Sequence, residues 1–208
     1  MKNNNEPLVS VVIHSFDRFQ YLLNAIRSIE NQTYKNYELI LINDDSNEKE
    51  YYEYNFPEFV KKIDIKKKEF PSWTGSRQAL INIGVENSNG QFIALLDDDD
   101  YWLPTKLEIQ INHMLEMYFK FSSTEGYFGE GVFDNTSEYK LYNQEHFFSV
   151  LKKKYRKTQY LKSGKFPKYW NYDFLKVHNC VIKSSVVIDK KIFNIAGGFR
   201  GLPKNADY

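Results

Sequence analysis

The sequence has a single cysteine, Cys180, which excludes an internal disulfide framework and fits a reducing compartment. It has no apolar run long enough to cross a bilayer, and stretches such as Ile93–Leu96 are only strand-sized. The polar start, Met1-Lys2-Asn3-Asn4-Asn5, lacks the apolar segment of a secretory signal. A cytoplasmic protein with no transmembrane segment is expected. Neither sign of charge is in excess, because 28 Lys and Arg face 27 Asp and Glu. That balance excludes an electrostatic nucleic-acid or membrane binder and confines charge-based function to local clusters. What is present is apolar and aromatic, 42% and 17% of 208 residues, enough for one domain with a real core.

Leu8-Val9-Ser10-Val11-Val12-Ile13 is a near-continuous apolar, β-branched run, as expected of a strand buried on both faces. Leu22, Leu23, Ile26 and Ile29 then recur at helical spacing, and Tyr37–Ile42 reads as a second buried strand. Strand, helix and strand in about thirty-five residues make a βαβ unit and hence a parallel sheet. The pattern repeats more weakly, with a short strand over Val60–Ile65 and helical spacing over Ser76–Asn87. Asn89-Gly90 is a turn, Gln91–Leu96 another strand, and Pro104 opens a helix whose apolar face carries Leu107, Ile111, Met114, Leu115 and Tyr118. The expected fold is α/β, a Rossmann-like, mostly parallel sheet flanked by helices. Beyond Phe121 the regularity fails. Residues 122–172 are rich in Gly, Tyr, Asn and Lys, before a strand-like stretch Cys180–Ile188. The chain reads as one domain over 1–208, with an irregular second half from 121 on. The halt at Asp207-Tyr208 carries no terminating signal, so truncation of a longer protein is expected.

Asp97-Asp98-Asp99-Asp100 follows directly on the strand Gln91–Leu96, at the carboxyl edge where doubly wound sheets bind ligands. Strand alternation would put Asp97 and Asp99 on one side, their α-carbons about 6.6 Å apart. Contiguous carboxylates repel one another, and no basic residue stands nearby until Lys106. A hard divalent cation, Mg²⁺ or Mn²⁺, relieves that repulsion through oxygen ligands. The bland alternative is a solvated acidic turn with Asp100 capping the next helix. An EF-hand is disfavoured, since its loop glycine and distal glutamate are missing.

The opening Val9-Ser10-Val11-Val12-Ile13-His14-Ser15-Phe16-Asp17-Arg18 resembles the first strand and loop of family 2 glycosyltransferases of the GT-A fold, V-S-V-V-I-P-T-Y-N-R. Gln32-Thr33-Tyr34 with Glu38-Leu39-Ile40 is similar to that family's Q-T-Y-x-x-x-E-L-I, and Asn43-Asp44-Asp45-Ser46 to its D-D-G-S. Leu96-Asp97-Asp98-Asp99-Asp100-Tyr101-Trp102-Leu103-Pro104 looks like L-D-x-D-D-x-W-x-P. Four motifs in this order and spacing are specific. The resemblance is strong to Pro104 and thin after it.

The resemblance implies transfer of a sugar from a nucleotide-sugar donor, UDP-linked, to an acceptor hydroxyl, with inversion. The acceptor class, glycan, lipid or protein, stays open. It implies that Phe16 stacks on the base and that Asp44 accepts a hydrogen bond from it. Arg18 and Arg77 are diphosphate candidates, His14 lines the nucleotide site, and Asp97 and Asp98 belong to it. Asp99 is the implied direct ligand of Mn²⁺ or Mg²⁺. Gly197-Gly198-Phe199 and Asn205-Ala206-Asp207-Tyr208 are similar to the family's G-G-F and E-D-Y motifs, which makes Asp207 the general base. The nucleotide-binding half is then 1–120 and the acceptor side 121–208. Several positions depart from the pattern: Asn43 stands for the usual Asp, Asp45 for Gly, His14 for Pro and Ala206 for Glu.

Other candidates carry weaker signals. His178 is a candidate for the acceptor side, although a lone histidine is more often structural. Trp73, Trp102 and Trp170 suit packing better than sugar stacking. The basic stretches Lys66-Lys67-Lys68 and 152–157 read as solvated faces, the second also suiting a phosphate-bearing acceptor or an anionic membrane surface. Two competing classes remain. One is a nucleotide-sugar-binding domain without turnover, which Ala206 permits. The other is a nucleotidyltransferase, disfavoured because no glycine lies between His14 and Phe19 to form a phosphate loop.

Overall fold

A computed structural model describes residues 6–66, 79–142, 148–154, 175, 179 and 181–199. Its main sheet has six strands in the order β3-β2-β1-β4-β8-β5. These are β1 (Val9–Ser15), β2 (Tyr37–Asn43), β3 (Val60–Asp64), β4 (Phe92–Leu95), β5 (Phe121–Ser122) and β8 (Val187–Asp189). β1 lies parallel between β2 and β4, β2 runs parallel to β3, and β8 pairs antiparallel with both β4 and β5. A second, two-stranded sheet pairs β6 (Tyr127–Phe128) with β7 (Lys140–Leu141).

The apolar runs are continuous because helices cover both faces of the sheet. Val9, Val11, Ile13, Leu39, Leu41, Phe92 and Ala94 pack beneath α1 (Phe19–Glu30) and α4 (Lys106–Glu116). The alternate residues Val12, Ile40, Ile42, Ile93 and Leu95 face α3 (Ala79–Glu86) and α6 (Lys190–Ile195). Short helices α2 (Glu50–Glu53) and α5 (Phe148–Lys154) complete the described elements. A one-residue slip would exchange the two apolar sets, so the register is fixed by both cores at once. Gly90 has a steric reason: a β-carbon there would stand 2.5 Å from the backbone nitrogen of Ser10. No helix among the described residues is long and apolar enough to cross a membrane.

Three expectations need correction. The apolar face of α4 contains Leu107, Ile111 and Met114, but Leu115 is 43% and Tyr118 86% exposed. The helix stops at Glu116, and Tyr118 turns into the left-handed region at φ 57°, which takes it off the helical face. Pro104 lies ahead of the helix, with Thr105 at the N-cap. The stretch read as one strand to Ile188 contains a 3₁₀ turn, Lys183–Ser185, before β8 begins.

The family-like Gln32-Thr33-Tyr34 proves to be a strut. Gln32 is fully buried; its amide donates to Ser28 O at 3.0 Å and Leu103 O at 2.9 Å and accepts from Leu107 N at 3.0 Å. Thr33 N–H donates to Pro104 O at 2.8 Å, and Tyr34 Oη to Pro7 O at 2.5 Å. Gln32 and Thr33 tie the end of α1 to the segment that leads from β4 into α4, and Tyr34 ties it to the residues that precede β1.

Candidate active site

The strand order places a topological switch point between β1 and β4: the chain leaves β1 toward β2 and β3 and returns on the other side. Ligands of doubly wound sheets bind in the crevice at the carboxyl ends of such strands. The loop Phe16–Arg18 leaves β1 on one side of that crevice, and Asp97–Asp100 leaves β4 on the other. The loop after β2, beginning at Asp44, lies against the first.

The two neighbouring loops are locked together by short polar residues. Asp17, at φ 50°, accepts from Asn47 N at 2.6 Å and Asn47 Nδ2 at 2.7 Å, and its own N–H donates to Ser46 Oγ at 3.1 Å. Glu48 accepts from Phe19 N at 2.8 Å, satisfying an orphan N–H of α1 whose N-cap, Arg18, has no side-chain cap. Asp45, standing where the resembled motif has glycine, has φ 57°, a conformation that Asp tolerates better than most residues. Asn43 donates to Asp64 Oδ1 at 2.8 Å and accepts from Ser46 N at 3.1 Å. Asp44 is buried, its N–H bonded to Ser15 O at 3.0 Å, while Phe16 and His14 are half-buried.

The acidic run is a turn, closed by Asp100 N–H to Asp97 O at 3.2 Å, so strand alternation does not sort its side chains. Their partners do. Asp97 forms an ion pair with Lys183, and its N–H donates to Ser184 Oγ at 2.9 Å. Asp98 is buried and accepts from Ser15 Oγ at 2.6 Å, with Arg18 Nη1 at 3.5 Å. Asp100 accepts from Ser184 Oγ and so is taken up by the turn before β8 rather than by α4. Asp99 is exposed, and its hydrogen-bond partner among the described residues is Arg18, Nη1 to Oδ2 at 2.6 Å. Burial, followed by the charges of Asp99 and Asp97, holds the Asp98 carboxyl above its usual range against the pull of Ser15 and Arg18. Burial likewise raises Tyr51, whose hydroxyl meets Ser15 and accepts from Arg18 N at 3.2 Å.

A cavity of about 340 Å³ opens over Asp99 and Asp100, walled by Arg18 and Tyr21 on one side and Gly129 and Gly131 on the other. The glycines belong to the β6–β7 hairpin. It is anchored through Phe133, whose ring stacks on Tyr101 at 4.2 Å and lies 5.7 Å from Tyr139. Trp102 serves the scaffold: its indole N–H donates to Ser184 O at 2.6 Å, and Lys106 Nζ lies 3.7 Å over its ring.

Of the residues singled out in the sequence, the crevice gathers Arg18, Asp97, Asp98 and Asp99 directly, with His14, Phe16 and Asp44 at the adjoining strand ends. Arg77, Asp207, His178, Cys180, Trp73 and Trp170 lie outside the described residues. Sequence reasoning missed Ser15, Tyr51, Lys183 and Ser184. Ser15 had a signal, a polar residue ending a buried strand, whereas Lys183-Ser184-Ser185 matched no motif.

A doubly wound sheet with carboxylates at its switch point is the arrangement of the GT-A class of α/β fold, which the family match and the fold comparison below support. Residues 10–189 match the family model "Glycosyl transferase family 2", and the chain belongs to that family. An uncharacterized glycosyltransferase of Haemophilus influenzae is 38% identical over 116 residues, 54% of this chain and 44% of that protein. The Escherichia coli protein WfgD, named UDP-Glc:alpha-D-GlcNAc-diphosphoundecaprenol beta-1,3-glucosyltransferase, is 32% identical over 113 residues, 54% of this chain and 43% of its own length. A Rickettsia bellii glycosyltransferase, 38% identical, is matched over only 16% of its length, so the chain spans less than half of each of these relatives. Among solved structures, the Pyrobaculum calidifontis mannosyltransferase PcManGT, in complex with GDP-Man and Mn²⁺, superposes with a TM-score of 0.61. It is 11% identical, over 95% of this chain and 48% of that one, and supports the fold.

Proposed function

We propose that this chain carries the donor site of an inverting, metal-dependent glycosyltransferase that takes a UDP-linked sugar. One observation carries the reading. The fold pairs Asp97, Asp98 and Asp100 with Lys183, Ser15 and Ser184, leaving Asp99 exposed on the cavity with the half-exposed Arg18 as its hydrogen-bond partner among the described residues. Among the described residues no three His, Cys, Asp or Glu side chains group as a protein-made metal cage. That donor set fits Mg²⁺ or Mn²⁺, which take one or two carboxylates, several waters and substrate phosphate oxygens. The Mn²⁺ in the PcManGT complex supports the same ion here.

When bound, the ion stabilises the negative charge of the departing diphosphate. Asp99 would hold it, Arg18 would meet the diphosphate, and Asp44 and Phe16 would position the base. The donor in WfgD's name, UDP-Glc, supports uridine, and the acceptor in that name is alpha-D-GlcNAc-diphosphoundecaprenol. The acceptor of this chain belongs to residues 121–208, the proposed acceptor side, with Asp207 as the base that takes its proton. Residues 1–120 form the proposed donor half. The lone cysteine supports a reducing, cytoplasmic setting.

The test is UDP affinity by calorimetry with and without Mn²⁺. Tight binding that needs Mn²⁺ and is lost in Asp99→Asn, with an unchanged circular dichroism spectrum, is the expected result. Equal affinity with and without metal would overturn the reading. For the base, Asp207→Asn should keep UDP binding and cut sugar transfer by about 10²–10⁴-fold.

A further inference from the structure

We infer that Arg18 is a positioning residue that exchanges partners: it neutralises Asp99 in the empty site and passes to the donor diphosphate when the donor arrives. This rests on the proposed reading of Asp99 as metal ligand. Arg18 Nη1 is 2.6 Å from Asp99 Oδ2 but 3.5 Å from Asp98 Oδ1, and Asp98 already has Ser15 at 2.6 Å. The guanidinium is thus the cation of the Asp99 position.

Its backbone and its tip are held differently. The N–H of Arg18 donates to Tyr51 Oη at 3.2 Å and its carbonyl accepts from Leu22 N at 3.0 Å, so the residue stays at the head of α1. The side chain is 51% exposed, and Asp99's is 46%. An exposed pair of this kind holds only weakly, so the tip leaves without loss of packing. The cavity walled by Arg18, Tyr21, Gly129 and Gly131 gives it somewhere to go.

Two cations on one exposed carboxylate repel, so Arg18 at Asp99 and a divalent ion at Asp99 compete with each other. A diphosphate resolves the conflict by offering Arg18 a doubly charged, bidentate partner. The consequence is reciprocal coupling: UDP raises metal affinity, and metal raises UDP affinity by the same factor. Free metal alone binds poorly, which keeps the ion from occupying the site without donor.

The experiment measures Mn²⁺ affinity by electron paramagnetic resonance and UDP–Mn²⁺ affinity by calorimetry, on the full chain and on Arg18→Gln, Arg18→Lys and Lys183→Gln. Exchange predicts opposite signs in Arg18→Gln: Mn²⁺ alone binds about three- to fivefold more tightly, while UDP–Mn²⁺ binds more weakly. Arg18→Lys restores part of both effects. Lys183→Gln removes an equal charge from Asp97 and should raise Mn²⁺ affinity less than Arg18→Gln does. Unchanged or weaker Mn²⁺ binding in Arg18→Gln overturns the exchange, as does an equal gain in both charge-removal variants. If UDP binding in the unmutated protein ignores Mn²⁺, the reading of Asp99 itself fails, and that outcome shows in the unmutated protein alone.

Discussion

Ser15 Oγ donates to Asp98 Oδ2 at 2.6 Å, joining the last residue of β1 to the turn that follows β4. Because the hydroxyl's one hydrogen goes to the carboxylate, the Tyr51 hydroxyl donates to Ser15 Oγ while accepting from Arg18 N at 3.2 Å. Ser15→Ala leaves the buried Asp98 carboxylate short of a donor. The expected loss is about 1.5–3 kcal/mol of unfolding free energy, read by urea denaturation. Asp99→Asn, on an exposed carboxylate, should cost less than about 1 kcal/mol in the same assay. Equal losses would mean that Asp98 is not the buried brace of this turn.

Asn43 explains one departure from the resembled motif. Its amide donates to Asp64 Oδ1 at 2.8 Å, and Asp64 also pairs with Lys62 at 3.2 Å. Restoring the family's usual residue, Asn43→Asp, would set two carboxylates face to face. The new carboxyl is then raised above its unfolded value, so its destabilisation is full at neutral pH, fades as pH falls through the raised folded value and is gone below about 4. The double change Asn43→Asp, Asp64→Asn should regain most of the loss. Thermal unfolding at pH 7 and pH 4 measures both effects.

How much of this was legible depended on whether a residue's partner was local. β1 and β2 were readable because strands covered on both faces are apolar throughout, and α1 because Leu22, Ile26 and Ile29 keep helical spacing. Gln32 was legible as a motif but not as a strut, since it works on Leu103, 71 positions away. The acidic run announced a site, but a turn closed by Asp100 N–H cannot be told from an extended strand end by composition. Its sorting depends on Ser15, Lys183 and Ser184, brought in from β1 and from the turn before β8. Leu115 and Tyr118 misled because helical spacing continues past the point where the backbone leaves the helix.

Asp44 sits at the carboxyl end of β2, buried, with its N–H on Ser15 O at 3.0 Å. If its carboxylate accepts from the N3–H of uracil, UDP should bind more tightly than CDP or ADP. A hydrogen bond to a charged group contributes about 1.5–3 kcal/mol, roughly ten- to a hundredfold in affinity. Asp44→Ala should erase most of that preference while leaving the Mn²⁺ requirement in place. Calorimetry with the three diphosphates decides it, and tighter binding of GDP than UDP would reassign the donor.

The last prediction concerns Lys106, in the first turn of α4. Its Nζ is buried without a hydrogen-bond partner among the described residues, 3.7 Å over the Trp102 ring. A cation at a helix N-terminus meets the positive end of the dipole, and burial pushes the amine well below 10.5. The ring attracts a cation by about 0.5–2 kcal/mol, less than the several kcal/mol needed to bury an unpaired ammonium, so desolvation wins. Below 10.5, and above its depressed folded value, the unfolded chain binds a proton that the folded chain does not. Stability attached to Lys106 therefore rises with pH through that window and is at its poorest on the acid side. Lys106→Met keeps the stem and removes the amine, so it should stabilise the protein at pH 7 by about 1–3 kcal/mol. That advantage should shrink as pH climbs toward 10.5. Denaturant unfolding of both proteins from pH 6 to pH 10 measures the difference. A variant less stable than the parent, by an amount that does not change with pH, would show that the amine makes a favourable contact over Trp102.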